Sequence, residues 1–245
     1  MELGYRIIRP DDVGKQQLLL AQISLWRTAN WGVSEGEQAV REAIEIVNAC
    51  KARGIRTVFH PLDYPLANEH AENTLAVMQR LAAACDLGII IHDEGGKDGK
   101  RLSAGEERIF KKNLRTISEL CPVSVENAFN SVDVTWFWEQ FVVPAPKAVS
   151  ITIDIGHLES ADIDSISFIR SMPGHLAERI TFAHIHHKAG ERYGIKDHWP
   201  LVPGCREIEA LKVLLTRRPE VRVIVELDAA DNGMGQSIEL LKKLL

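Results

Sequence analysis

From residue 34 onward, apolar positions follow two spacings in turn. Stretches in which they recur every three to four residues give way to short runs rich in Val and Ile, and the order then repeats. That succession predicts helices crossing over between parallel strands. Ser34-Glu35-Gly36-Glu37 has the spacing of a capping box; Val40, Ala43, Ile44 and Val47 then share one helical face, and Gly54 closes the helix. Strands are expected at residues 56–60, 88–92, 123–127, 149–154, 180–186 and 221–227, with helices near 69–85, 103–120, 132–141, 164–171, 205–217 and 235–244. Two more strands fit upstream, at 3–8 and 18–25. The pattern therefore predicts an α/β chain forming one (β/α)8 TIM barrel over residues 1–245. Its first βαβ unit is compressed, because the residues between Arg9 and Gln17 are too few for a crossover helix. Either a bare loop makes that connection or the first strand lies elsewhere. An open doubly wound sheet fits less well, since no Gly-rich phosphate turn follows the first strand.

The length of 245 residues and an apolar content of 45% suit one barrel with a large core. No Pro/Gly/Ser-rich or charge-rich stretch divides the middle of the chain. A net charge of −5 argues against a nucleic-acid partner. The longest apolar run, near Leu18 to Ile23, is too short to span a membrane, and residues 1–10 lack a signal-peptide core, so the expected compartment is the cytoplasm. Cys50, Cys85, Cys121 and Cys205 are scattered without paired spacing and are expected to be reduced core or helix residues.

The chemistry collects at one end of the expected strands. Seven of the nine histidines (His60, His92, His157, His184, His186, His187 and His198) fall at or just past strand C-termini, where barrel active sites are built. Glu126, Asp154 and Glu226 each finish an apolar run. Three carboxylates converging on one mouth repel one another unless a cation joins them, which points to a divalent metal. Strand alternation turns all three inward and puts His184 and His186 on one side, with His187 on the other. His184 is the favoured ligand and His186 its substitute. Trp26, Trp31 and Trp199 belong to the same mouth, where aromatic walls suit a sugar-sized ligand.

In order, Val-Glu-Asn-Ala (125–128), Asp-Ile-Gly-His (154–157), His-Ile-His-His (184–187), Asp-His-Trp-Pro-Leu-Val-Pro-Gly (197–204) and Val-Glu-Leu-Asp (225–228) resemble the strand-end motifs of the xylose-isomerase-like superfamily. That superfamily holds sugar isomerases and epimerases together with endonuclease IV, the prototype of the AP endonuclease family 2. The resemblance covers roughly residues 56–228. It implies that Glu126, Asp154, His184 and Glu226 hold one metal ion (Mn, Co, Mg or Zn), and that Glu126 and Glu226 also exchange protons with substrate. His60, His92, His157 and His198 would surround them, with His186, Trp26 and Trp199 completing the substrate contacts. The expected activity is isomerisation or epimerisation of a small sugar or related polyhydroxy carbonyl compound through a metal-stabilised enediolate. An endonuclease IV-like phosphodiester hydrolase is the rival, and a barrel that only binds metal or sugar a third possibility. Two departures from the family pattern stand out: Pro203 replaces a glutamate, and Lys196 stands where a nuclease-type site would place an aspartate near His198.

Overall fold

A computed structural model describes residues 2–26, 34–62, 64–67, 71–94, 101–129, 131, 133–188, 198–227 and 233–245. Eight strands, β1 (Glu2–Ile7), β2 (Leu20–Trp26), β3 (Arg56–Leu62), β4 (Ile89–His92), β5 (Val123–Glu126), β6 (Val149–Asp154), β7 (Ile180–Ile185) and β8 (Arg222–Val225), close in sequence order into a parallel barrel. Closure comes from β1 pairing with β8, Glu2 opposite Arg222 and Tyr5 opposite Val225. The crossover helices are α1 (Ser34–Lys51), α2 (Ala71–Ala82), α3 (Ala104–Ser118), α4 (Val134–Phe137), α5 (Ile155–Ser160), α6 (Ser165–Ser171), α7 (Gly174–Ala177), α8 (Arg206–Arg217) and α9 (Gly233–Leu244). Among the described residues, no helix is long and apolar enough to cross a membrane.

The first strand is where the periodicity puts it, and the short connection is not bare. A 3-10 turn at Pro10–Asp12 replaces the missing helix. The Tyr5 hydroxyl donates to the Asp12 carbonyl at 3.2 Å and accepts from the Gly14 amide at 3.0 Å, while the Arg53 guanidinium donates to the Val13 carbonyl at 2.6 Å. Those bonds satisfy a backbone that a helix would otherwise satisfy itself.

Each strand has two faces of different character. Outward residues such as Ile7, Ile23, Phe59, Ile91, Val125, Ile153, Ala183 and Val223 join the helices in one large core. Inward residues Leu20, Val58, Ile90, Phe182 and Ile224 form a separate small apolar cluster inside the barrel, with Gly4 leaving room for the Leu20 side chain. Two residues further along the same inward faces, the side chains become Gln22, His60, His92, His184 and Glu226, joined by Arg6, Glu126 and Asp154. A period of two carries an apolar plug at one level and a polar ring at the next.

Helix α4 runs into a π-helical turn at Trp138–Val142, which seats Phe137 and Phe141 against Phe110. Trp136 and Trp138 thus lie on the outer helical layer, as expected. Two short helices, α5 and α7, lie where only α6 was expected.

Candidate metal centre

The polar ring is built by register. His92 pairs with Glu126 across β4 and β5, Asp154 with His184 across β6 and β7, and Glu226 follows the last residue of β8. All of these except His92 are almost fully buried. His184 Nδ1 lies 2.7 Å from Glu226 Oε2, 3.1 Å from Glu126 Oε1 and 3.7 Å from Asp154 Oδ2. His60 Nδ1 faces the Ile90 carbonyl at 3.2 Å, which places its proton there and turns the Nε2 lone pair inward. That Nε2 is 3.1 Å from Glu126 Oε2 and 3.9 Å from Glu226 Oε1. Donor atoms of His60, Glu126, His184 and Glu226 all lie within 4.8 Å of one another, and Glu126, Asp154 and His157 form an adjoining group that shares Glu126.

Both Glu126 oxygens, Asp154 Oδ2, Glu226 Oε2, His60 Nε2 and both His184 nitrogens are buried without a hydrogen bond, although several are close enough for one. Carboxylate and imidazole atoms packed this closely without hydrogen-bond geometry are what a metal site presents and what a hydrogen-bonded network avoids. Charge points the same way. Three carboxylates are faced by one guanidinium, Arg6, whose Nη1 is 3.4 Å from Glu226 Oε1 and whose Nε donates to Ser24 Oγ at 2.9 Å. With every imidazole neutral, as ligation requires, the ring carries −2, the charge one divalent cation cancels. The residues present therefore fit such an ion.

The titration directions express the same conflict. Burial opposes charge on His184, but Glu126 and Glu226 outweigh it and hold its pKa well above the usual value. Burial likewise opposes ionisation of Glu126 and Glu226. His184 outweighs it in both, helped by His60 at Glu126 and by Arg6 at Glu226, and both stay well below the ordinary range. Asp93, just past β4, is pushed up to about 8 by burial against the pull of the Ser131 hydroxyl, so it is neutral at pH 7 and leaves the count unchanged.

Asp-Ile-Gly-His (154–157) acts as a folding device as well as a source of donors. Asp154 caps α5, its Oδ1 accepting from the His157 amide at 2.7 Å, so Oδ2 remains for the centre. A side chain at position 156 would collide with the His186 ring, hence the glycine. Asn127 clamps the strand ends together, donating to the Asp154 carbonyl at 2.9 Å and accepting from its amide at 2.8 Å.

His92 Nε2 is 3.8 Å from Glu126 Oε2, and burial pushes its pKa down, so the ring is neutral. His157 Nδ1 faces the Asn127 carbonyl at 3.0 Å and lies 3.4 Å from Glu126 Oε1. His198 Nε2 is 3.9 Å from Glu226 Oε1. His186, the substitute ligand, accepts the His198 amide on Nδ1 at 2.9 Å and sets Nε2 3.2 Å from Asp154 Oδ1. His157, His186 and His198 have nitrogens within 4.8 Å of each other. Yet His186 and His198 stack at 18° and 4.3 Å, and parallel rings cannot both hold one ion in their planes. His186 is thus a brace between Asp154 and His198, and His184 occupies the donor cluster.

Trp199 is half-buried and tied to His187 through a pair of backbone hydrogen bonds. Trp26 ends β2, but its side chain, together with Trp31, Lys196, Asp197 and Asp228, lies outside the described residues. Arg6, Asp93 and Asn127 were not expected in the site. Arg6 had a signal, the lone cation of its strand.

No protein-family model matches the sequence, and no curated protein does. Solved structures do match. Endonuclease IV from Thermus thermophilus superposes with a TM-score of 0.65 at 16% identity, over 100% of this chain and 98% of that one. The 3-keto-D-glucoside 4-epimerase of E. coli gives 0.68 at 14% identity, over 99% of both chains. IolI protein with a bound zinc atom gives 0.66 at 13% identity, over 100% of this chain and 96% of that one. The fold is the closed TIM barrel that these structures share, as the alternation of strands and helices led one to expect. One fold serves both an endonuclease and an epimerase, so chemistry has to be argued from the site.

Proposed function

We propose that this xylose isomerase-like barrel is a divalent-metal-dependent isomerase or epimerase of a small sugar or related polyhydroxy carbonyl compound. The supporting observation is the set of buried donor atoms on Glu126, Asp154, His184 and Glu226 that converge without hydrogen-bond geometry. These four would hold the cation, with His60 Nε2 beside them; Mn, Co, Mg or Zn suit such mixed donors. Once bound, the cation supplies positive charge that polarises a carbonyl and its neighbouring hydroxyl, making the adjacent C–H acidic. Glu126 and Glu226 come from different strands, so one removes the proton from the substrate carbon and the other returns it. Arg6 pins Oε1 of Glu226 and so fixes which oxygen turns to the substrate. His92, His157 and His198 at the rim orient substrate hydroxyls, and Trp199 supplies aromatic wall. The substrate is therefore a small molecule.

Metal-assisted phosphodiester hydrolysis is the second reading, favoured by the endonuclease IV likeness and by the extra imidazoles. The stacked His186 and His198 rings and the net charge of −5 count against it. The test is turnover of a sugar panel by chelator-treated protein to which single metals are restored, alongside a duplex carrying an abasic site. Sugar turnover should return with metal, and Glu126→Gln and Glu226→Gln should each lower kcat by about 10²–10⁴-fold. Metal-independent turnover overturns the metal assignment, and duplex cleavage without sugar conversion promotes the nuclease. Metal binding with neither activity leaves a binding protein.

A further inference from the structure

A second donor set lies just past β7, on the side away from the polar ring. His187, Cys205 and Glu207 bring an imidazole nitrogen, a sulfur and a carboxylate oxygen within 4.8 Å of one another. Strand alternation throws His187 opposite to His184, and its Nδ1 sits 3.0 and 3.2 Å from the two oxygens of Glu207. Glu207, in the first turn of α8, is 2% exposed and also accepts the Lys188 amide at 2.7 Å. Cys205 is the N-cap of α8, is free, and makes no capping hydrogen bond with its thiol. None of the three takes part in the chemistry proposed for the ring.

A His–Glu ion pair tying β7 to α8, with the thiol against the same imidazole, accounts for the contacts but not for a cysteine at an N-cap. N-cap positions favour Ser, Thr, Asp or Asn, because their oxygens bond the orphan amides of the first turn; a cysteine forgoes that bond. Imidazole, thiolate and carboxylate together are a zinc-type donor set. Tetrahedral zinc, with bonds of about 2.0–2.3 Å, needs donors roughly 3.3–3.7 Å apart, and the His187–Glu207 separation is already within about half an ångström of that. Thiolate and carboxylate also supply the two negative charges that neutralise a divalent ion. The His187 side chain is 25% exposed, so solvent reaches the cluster and can supply a fourth ligand.

We propose that His187, Cys205 and Glu207 form a site for a thiophilic divalent cation, separate from the donors of the polar ring, which clamps the exit of β7 to the start of α8. Binding displaces the thiol proton and the imidazolium proton to solvent. Cobalt(II) titration of the full chain tests it, because a thiolate-to-cobalt charge-transfer band arises only where sulfur is a ligand, and the polar ring has none. The band is expected at one ion per chain, lost in Cys205→Ser and retained in Cys50→Ser, Cys85→Ser and Cys121→Ser. Glu207→Gln and His187→Gln should each weaken the cobalt affinity read from that band by more than tenfold. Should Cys205→Ser fail to fold, zinc protection of Cys205 against alkylation in the unmutated chain, read by peptide mass mapping, carries the test. Absence of the band, its survival in Cys205→Ser, or unprotected Cys205 in saturating zinc overturns the proposal.

Discussion

Gly156 offers the sharpest test of how the centre is assembled. A Cβ at this position would sit 2.1 Å from His186 Cε1 and 2.4 Å from both ring nitrogens, against an ordinary contact of about 3.5 Å. Gly156→Ala therefore forces the fully buried His186 ring to shift by more than about 1 Å, which disturbs its contacts with the His198 amide and Asp154 Oδ1. Overpacking of this kind costs about 1–3 kcal/mol, and a lost hydrogen bond about 1 more. A total near 3 kcal/mol lowers Tm by about 6–12 °C in a chain of this size. Helix propensity alone argues the opposite, a gain of up to about 1 kcal/mol for Gly→Ala. Gly105→Ala and Gly235→Ala, where the added carbon meets nothing nearer than 3.8 Å, should show that neutral or stabilising effect. Thermal unfolding of Gly156→Ala, His186→Ala and the double variant reads the coupling, expected to exceed about 1 kcal/mol because the truncated histidine vacates the space. A Gly156→Ala protein as stable as its parent, or a cost that persists in the His186→Ala background, would refute the steric account.

Other outcomes follow from the same geometry. His184→Ala should abolish metal-dependent turnover, whereas His187→Ala, facing α8, should leave the metal concentration for half-maximal turnover unchanged; the reverse order would mean that the strand register is off by one. Gln22 buries both amide atoms inside the barrel without a partner among the described residues, so Gln22→Met should raise unfolding stability in urea by about 1–3 kcal/mol, and a loss would show that the amide is satisfied in solution. Cys205 first, then Glu207, raises the His187 pKa from 6.5 to about 10. The stability this gives is complete below about pH 6.5 and is lost as pH climbs through about 10. In chelated protein the decline over that window should be shallower for His187→Gln, and identical slopes would remove the ion pair from the account.

The barrel was legible because the lower part of its strands buries apolar side chains on both faces, so that a run such as Val-Ile-Val needs no tertiary knowledge to read. The three ring carboxylates were legible for a related reason: each interrupts such a run at its end. Gln22 and Asp93 were not, since a polar residue in or just past a strand gains meaning only when the strand is known to face a closed interior. Helices α5 and α7, six and four residues long, hold too few turns for a periodicity to show. The doubtful first connection was a matter of chain length alone, and the Tyr5 hydroxyl that secures it acts across nine residues to Gly14, beyond any local pattern.

The apolar plug formed by Leu20, Val58, Ile90, Phe182 and Ile224 makes the barrel a vessel with a sealed floor. Water and ions cannot reach the carboxylates from beneath, so whatever answers their charge descends from the strand C-termini, and so must any substrate. Approach, departure and orientation share one opening. Changing the floor alters whether the vessel holds together; changing the side chains and loops above it alters what the vessel receives. A chain organised this way can exchange one reaction for another while the lower half of every strand stays as it is.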